Sequence, residues 1–389
     1  MDPKELLNGY DLKNLTVGVL GGHSALDVCH GAKKHGFKTV AVARKGRDKT
    51  YARYFVTRNS KFQIPNSKEK SIGCIDNVIS VEQFSDVLDE KVQKQLRSLN
   101  TIFIHNRYFW VYFDDFSKVE NEFKLPVYGS RNLLRIEERD QHFTQYDLLN
   151  VAGIRTPKIY KSADEIDRPV LVKAGEAHRT YERAFFIAND KSSWEKEGSR
   201  LEKEGKVSSN WREATIEEFI VGAPVNFNYF YSPLTGELEL LGTDMRRQTN
   251  LDGFLRMTAP EQQKALESGI DLKMIETGHV ACTVKESILE KAFDLGEKFV
   301  KATQNLAPDI DPTGKGMIGP FALQGAVIAE EGREDIVIFD VSMRIPGSPG
   351  TRATPYTGYL HGECMSVGER IGMELRSAVE QNRLEEILT

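Results

Sequence analysis

The sequence predicts an α/β protein of more than one domain, and three observations carry that prediction. Near the start, a buried-type strand breaks at glycine and enters a helix. Near the end stand two adjacent strands dense in apolar and β-branched residues. Between them, charged helical stretches alternate with short apolar runs. The chain has 389 residues, enough for two or three domains with a sizeable core.

Residues 15–20 (L-T-V-G-V-L) read as the first strand. It breaks at Gly21-Gly22-His23-Ser24 and leads to a helix at 25–35 and a strand at 39–43. This opens a βαβ unit whose helix N-terminus suits an anion. The full dinucleotide fingerprint is absent, and Arg44-Lys45-Gly46-Arg47 stands where an acidic residue would meet a ribose diol. A phosphate is therefore favoured. On spacing alone, His23 reads equally as a phosphate donor or as a helix cap. Strands at 77–80 and 101–105 flank a charged helix at 86–99, and 102–106 ends at the sheet edge where open α/β folds bind ligands. Residues 60–73 read as a surface excursion, and the first domain covers 1–130.

The second domain, 131–389, opens with a charged helix at 131–152, with Gly153 as C-cap and Pro157 blocking continuation. A smaller subdomain at about 155–215 holds the strand V-L-V-K and a charged helix at 192–206. A strand, a turn at 232–236 and a second strand follow, and helices at 286–302 and 366–387 are core elements.

In the late hairpin, 321–328 and 336–341 are the strands and 330–334 the polar turn. A period of two sets Phe321, Leu323 and Gly325 opposite Ala322, Gln324 and Ala326, and gives Ile336, Ile338, Asp340 and Ser342 one face. Gln324 and Asp340 would then share a cleft, with Ser342 and Arg344 just beyond. Mg²⁺ takes hard oxygen ligands from one or two carboxylates plus phosphates, and an adjacent arginine can hold an anion. A lone aspartate at a strand end is ordinarily just polar; the Gln/Asp/Ser/Arg cluster is what points to a site.

A net charge of −5 and a pI near 6.0 argue against nonspecific nucleic-acid binding as the main task. Four scattered cysteines without a C-x-x-C pair speak against a zinc knuckle or disulfide framework and fit a reducing compartment. The polar N-terminus shows no signal peptide, and no apolar run nears the roughly 20 residues that span a bilayer. The expectation is a soluble cytoplasmic protein without nucleic-acid or membrane partners.

The strings G-P-F-A-L-Q, F-D-V-S-M-R-I-P-G and P-Y-T-G-Y-L-H-G-E resemble the formate-dependent carboxamide ligases of purine synthesis (PurP type), which are ATP-grasp enzymes. The likeness runs over nearly the whole chain. It implies an ATP-grasp fold preceded by an open, Rossmann-like α/β domain, and a reaction of AICAR, formate and ATP to FAICAR, ADP and phosphate through formyl phosphate. It also implies Mg²⁺ or Mn²⁺ at Gln324 and Asp340, catalytic roles for Arg344 and Ser342, and a homo-oligomer. Lys173 would meet the ATP phosphates, and Glu217 or Glu218 the ribose. Gly22, His23 and Ser24 match the turn that holds the substrate phosphate, and Arg246, Arg247 and Asn250 match the substrate segment.

The chain departs from that pattern in several places. Asp147 stands where a helix lysine is usual, and Pro224 where polar residues are. The phosphate loop keeps one glycine, Gly175, with Arg179 and Arg183 as compensating cations. The metal carboxylate is an aspartate where a glutamate is usual. A non-catalytic paralogue that senses a purine intermediate, or partners an active ligase, is the alternative reading.

Overall fold

Short strands rich in valine, isoleucine and alanine, separated by helical segments, form a parallel sheet covered on both faces. In this computed structural model, residues 1–59, 71–113, 115–138, 141–174, 185–270, 272, 275–330, 332–347 and 349–389 are described. Strands β1 (Thr16–Leu20), β2 (Lys38–Arg44), β3 (Asn77–Val81), β4 (Thr101–Ile104) and β5 (Val127–Tyr128) lie in the order β3-β2-β1-β4-β5. Val17, Val19, Ala41 and Ile104 share a core with Val28 and Ala32 of helix α1 (Ala25–Lys34). Leu20, Val40, Val42 and Phe103 point into a second cluster on the other face.

The helix expected at 86–99 divides into a 3₁₀ turn, Phe84–Leu88, and α2 (Glu90–Ser98). The single helix expected at 131–152 divides too. A 3₁₀ segment, Arg131–Glu137, comes first, and α3 (Gln145–Val151) starts afresh at a capping box. There Asp147 accepts from Thr144 N and Oγ1, both at 2.8 Å, which satisfies the helix start locally.

The smaller sheet is antiparallel: β6 (Ile159–Tyr160), β7 (Val170–Lys173), β8 (Phe185–Ala188) and β9 (Thr215–Glu218), in the order β8-β7-β9-β6. Trp194, on α4 (Lys191–Lys203), and Trp211 fill its core. Arg179, Arg183 and the loop around Gly175 lie outside the described residues.

The largest sheet is also antiparallel, in the order β12-β11-β10-β13-β14. Its strands are β10 (Ala223–Ser232), β11 (Glu237–Gln248), β12 (Glu276–Cys282), β13 (Gly319–Glu330) and β14 (Arg333–Ser342). One face buries Phe227, Phe321, Leu323, Ile336 and Ile338 with Ala292 and Phe299 of α5 (Glu286–Gln304).

The expected common face of Ile336, Ile338, Asp340 and Ser342 is wrong. Gln324 pairs with Asp340, whereas Gly325 pairs with Ile338, so Phe339 is an extra residue in β14. A bulge of one residue reverses the alternation beyond it. Ile336 and Ile338 stay in the core with Val341 and Met343, while Ser342 turns to the cleft and Asp340 to Arg246 on the opposite side.

The expected helix at 366–387 ends sooner, as α6 (Val367–Glu380), because Asn382 adopts left-handed backbone at φ 57°. A last turn, Leu384–Ile387, leads to Thr389, whose backbone exchanges hydrogen bonds with Val127 at 2.8 and 3.0 Å. Helix α6 crosses α1 where Gly31 meets Gly368 and Gly372; a Cβ on Gly31 would stand 2.0 Å from the Gly368 carbonyl oxygen. Further along α6, Arg370 makes a buried network. Its guanidinium bonds Glu239 through Nε and one terminal nitrogen and Glu374 through the other, and lies 4.0 Å over the Phe230 ring. Ser232 Oγ donates to Glu374 at 2.6 Å, and His361 Nε2 stands 3.0 Å from Glu239.

Candidate active site

The cleft forms where the polar face of the large sheet meets the C-terminal edge of the parallel sheet. Asn226, Asn228, Arg246, Gln324, Ser342 and Arg344 line one side, and His23 and Arg107 the other. Glu276 and His279, on the edge strand β12, complete the wall.

On the parallel-sheet side, the turn after β1 is tightly held. Gly22 sits against the Tyr108 ring with no room for a Cβ, and His23 and Ser24 adopt left-handed backbone at φ 35° and 67°. Two consecutive non-glycine residues in that region store strain, a condition found mainly at functional turns. Ser24 Oγ donates to the Pro346 carbonyl at 2.8 Å, tying the turn to the loop after β14. Gly347 lies so close to His23 that a Cβ there would meet Nε2 at 2.6 Å. The buried Nδ1 of His23 has no hydrogen-bond partner. Burial, with Arg344 and Arg107 nearby, pushes the imidazole pKa down to about 3, so the ring is neutral.

Arg246 is the centre of the sheet side. It bonds the side-chain oxygen of Gln324 and lies 3.6 Å from Asp340 Oδ2 and, through Nε, 3.4 Å from Glu276. Gln324 in turn donates to Ser342 Oγ at 3.2 Å. Three of the sequence-derived residues, Gln324, Asp340 and Arg246, thus meet at one point. Arg344 is buried and paired with Glu137 at 3.1 Å, while its Nε has no hydrogen-bond partner. Burial raises the pKa of the Glu137 carboxyl even beside that arginine. Asn250 does not line the cleft: it is exposed, on a short helix past the end of β11. Arg247 is exposed and pairs with Asp252 at 3.5 Å.

Lys173 sits deep between the two antiparallel sheets. Its Nζ lies 2.6 Å from Glu217 Oε1 and donates to Tyr146 OH at 2.8 Å and to the Phe339 carbonyl at 3.4 Å. That carbonyl belongs to the bulged residue, so the bulge that redirects Asp340 also presents an acceptor to Lys173. Glu218 points to the other face of β9 and pairs with Arg168 at 3.2 Å.

Several residues in and behind the wall are absent from the sequence reading. Asp244 is fully buried and accepts from Asn226 at 2.8 Å, from Asn228 at 2.6 Å and from His279. Asp244 precedes Arg246 by two on β11, a spacing that could have flagged it. Arg107 stands two residues after His105 at the sheet edge; among the described residues it makes no ion pair.

Known proteins resemble this chain over nearly its whole length. Residues 17–160 match a family profile described as a protein of unknown function (DUF1246), and residues 193–389 a domain of unknown function (DUF1297). The 5-formaminoimidazole-4-carboxamide-1-(beta)-D-ribofuranosyl 5'-monophosphate synthetase of Methanothermobacter thermautotrophicus is 37% identical over 99% of this chain and 97% of its own length. This chain belongs to that synthetase family. A solved structure described as an IMP biosynthesis protein PurP, from Thermococcus kodakaraensis, is 25% identical with TM-score 0.66, over 96% of this chain and all of that one. Biotin carboxylase from Campylobacter jejuni, solved as a β,γ-ATP complex, shares the fold alone: TM-score 0.55 at 12% identity, over 92% of this chain and 70% of that one. The synthetase family accordingly has an ATP-grasp fold, and the open parallel sheet at 16–128 precedes it here.

Proposed function

We propose that this synthetase-family chain is an ATP-dependent carbon–nitrogen ligase that formylates the 5-amino group of AICAR with formate, giving FAICAR, ADP and phosphate. The observation that carries this reading is the convergence of Gln324, Asp340 and Arg246 opposite the strained Gly22-His23-Ser24 turn. One end of the cleft suits a metal–triphosphate, and the other a phosphorylated ribonucleotide.

Asp340 and the Gln324 amide oxygen are hard donors, and a guanidinium already rests on both, so positive charge is stabilised there. The pair fits a Mg²⁺ ion that draws its other ligands from phosphate oxygens and water, and the ion would neutralise the transferring phosphoryl group. Lys173, buried against Glu217, would meet the nucleotide phosphates in this reading. Arg344 keeps a free Nε for formate or the transferring oxygens, and Ser342 orients Gln324. Catalysis is then mostly positioning and charge neutralisation.

The substrate phosphate needs a cation that His23 does not supply, since its ring is neutral. Arg107 supplies it in this reading, while His23 contributes a neutral hydrogen bond. The alternative, a nucleotide sensor without turnover, draws support from the spent Asp147 and the absent helix lysine. ADP release that requires both formate and AICAR supports the ligase. AICAR binding with no ATP turnover would replace it with the sensor.

A further inference from the structure

His279 has no part in the roles above, yet it stands in the cleft wall with both ring nitrogens on carboxylates. A bulge puts it there. Glu276 and His279 are three residues apart on β12, and a regular strand would send them to opposite faces. Gln248 pairs with Glu276 but Arg247 with Gly278, so Thr277 is an extra residue that brings both side chains to the cleft. Gly278 takes φ 146°, which L side chains rarely adopt.

The outcome is a row of alternating charge. Asp244, held by Asn226 and Asn228, meets His279 Nδ1; His279 Nε2 meets Glu276 at 3.0 Å; Glu276 meets Arg246; and Arg246 meets Gln324 and Asp340. We propose that His279 is a positioning residue for the nucleotide cleft: as an imidazolium it clamps Asp244 to Glu276, and through Glu276 it sets where Arg246 points. The proposal rests on the ligase reading for its purpose. Glu276 in the wall and Asp244 buried behind it would together repel an anionic substrate; a cation between them removes that repulsion and fixes both. Asp244 and Arg246 face the ring's surroundings from β11, Glu276 from β12, Asp340 from β14, and His23 and Arg107 from across the cleft. Burial opposes the charge on the ring, but the bonds to Asp244 and Glu276 outweigh it and bring the pKa up to about 9. Since neither nitrogen is left over, His279 acts through Arg246 rather than on substrate.

The test is calorimetric titration of AICAR nucleotide, and separately of Mg·ATP, into the unmodified protein, His279→Asn, Arg246→Ala and the double variant. His279→Asn should weaken AICAR nucleotide about tenfold and leave Mg·ATP within about twofold. The double variant should bind no more weakly than Arg246→Ala alone, because both changes cut one chain. A double-variant loss equal to the product of the single losses, or no loss in His279→Asn, overturns the proposal. Should His279→Asn fail to fold, Glu276→Gln cuts the next link and carries the same expectation. A second measurement needs no nucleotide: nitrogen NMR of the labelled ring should show His279 doubly protonated at neutral pH with slowly exchanging N–H protons. A neutral ring there sinks the clamp. If the unmodified protein fails to bind AICAR nucleotide, the ligase reading falls, and the NMR spectrum still decides the clamp.

Discussion

Arg370 and the cleft arginines have the same chemistry and opposite circumstances. Around Arg370, nitrogens on both arms of the guanidinium meet carboxylate oxygens, those carboxylates are further bonded by Ser232 and His361, and an aromatic ring covers the face. In the cleft, the Nε of Arg344, the Nδ1 of His23 and the side-chain oxygen of Asn228 are buried without hydrogen-bond partners. Buried polar groups are ordinarily satisfied, so each such atom wants an explanation. The first network is complete and locks a helix to a sheet; the second holds donors and acceptors in reserve for a ligand.

The strongest way to break that contrast is Arg370→Ala. It leaves Glu239 and Glu374 buried without their cation, and stability should fall by about 3–5 kcal/mol, read by urea denaturation. Nucleotide affinity per folded molecule should hold. A variant as stable as the parent would mean that the complete network is not a lock.

The next effect is a pH dependence. The folded pKa of His279 is about 9, above its ordinary 6.5, so its stabilisation is complete below pH 6.5 and disappears as pH climbs through 9. The loss should approach about 3 kcal/mol, seen as a lower urea midpoint on the alkaline side that His279→Asn abolishes. Glu276 has the opposite sign. Burial would raise it, but His279 and Arg246 hold it down at about 2, so its contribution is present above pH 4.5 and lost as pH falls toward 2.

Arg107→Ala probes the ligand side of the cleft. Removing one charge-assisted contact should weaken AICAR nucleotide by about 1.5–3 kcal/mol and leave the melting temperature alone. The unphosphorylated riboside should be nearly indifferent; equal losses for both would take Arg107 away from the phosphate. The smallest effect belongs to Gly278→Ala. Nothing lies within 4 Å of a Cβ there, so its cost is backbone strain alone, about 1 kcal/mol.

The strands were legible because β-branched density and period two are local signals. The glycine turn at 21–24 and the hairpin at 319–342 fall where the sequence puts them. Side-chain direction beyond Phe339 was not legible, since nothing in I-V-I-F-D-V marks which residue is extra. The same limit hid the pairing of Glu276 with His279, although a glycine inside a strand pattern is a recognised hint of a bulge. Asp147 could be seen as a missing lysine but not as a cap, because its partner Thr144 lay inside what read as one continuous helix. Arg107 carried no motif; only the sheet edge gives it a meaning.

The glycine contact between α1 and α6 has a consequence for the order of assembly. The parallel sheet is complete in sequence by Tyr128, yet the helix that covers α1 begins at Val367 and the backbone that pairs with Val127 comes at Thr389. At roughly 5–20 residues per second, a growing chain would wait about 10–50 s between the two. Through that interval the parallel-sheet layer carries an uncovered glycine groove and an unpaired strand edge. Synthesis therefore exposes this layer for much longer than its own folding requires, and chaperone demand should track the arrival of α6 rather than of the sheet.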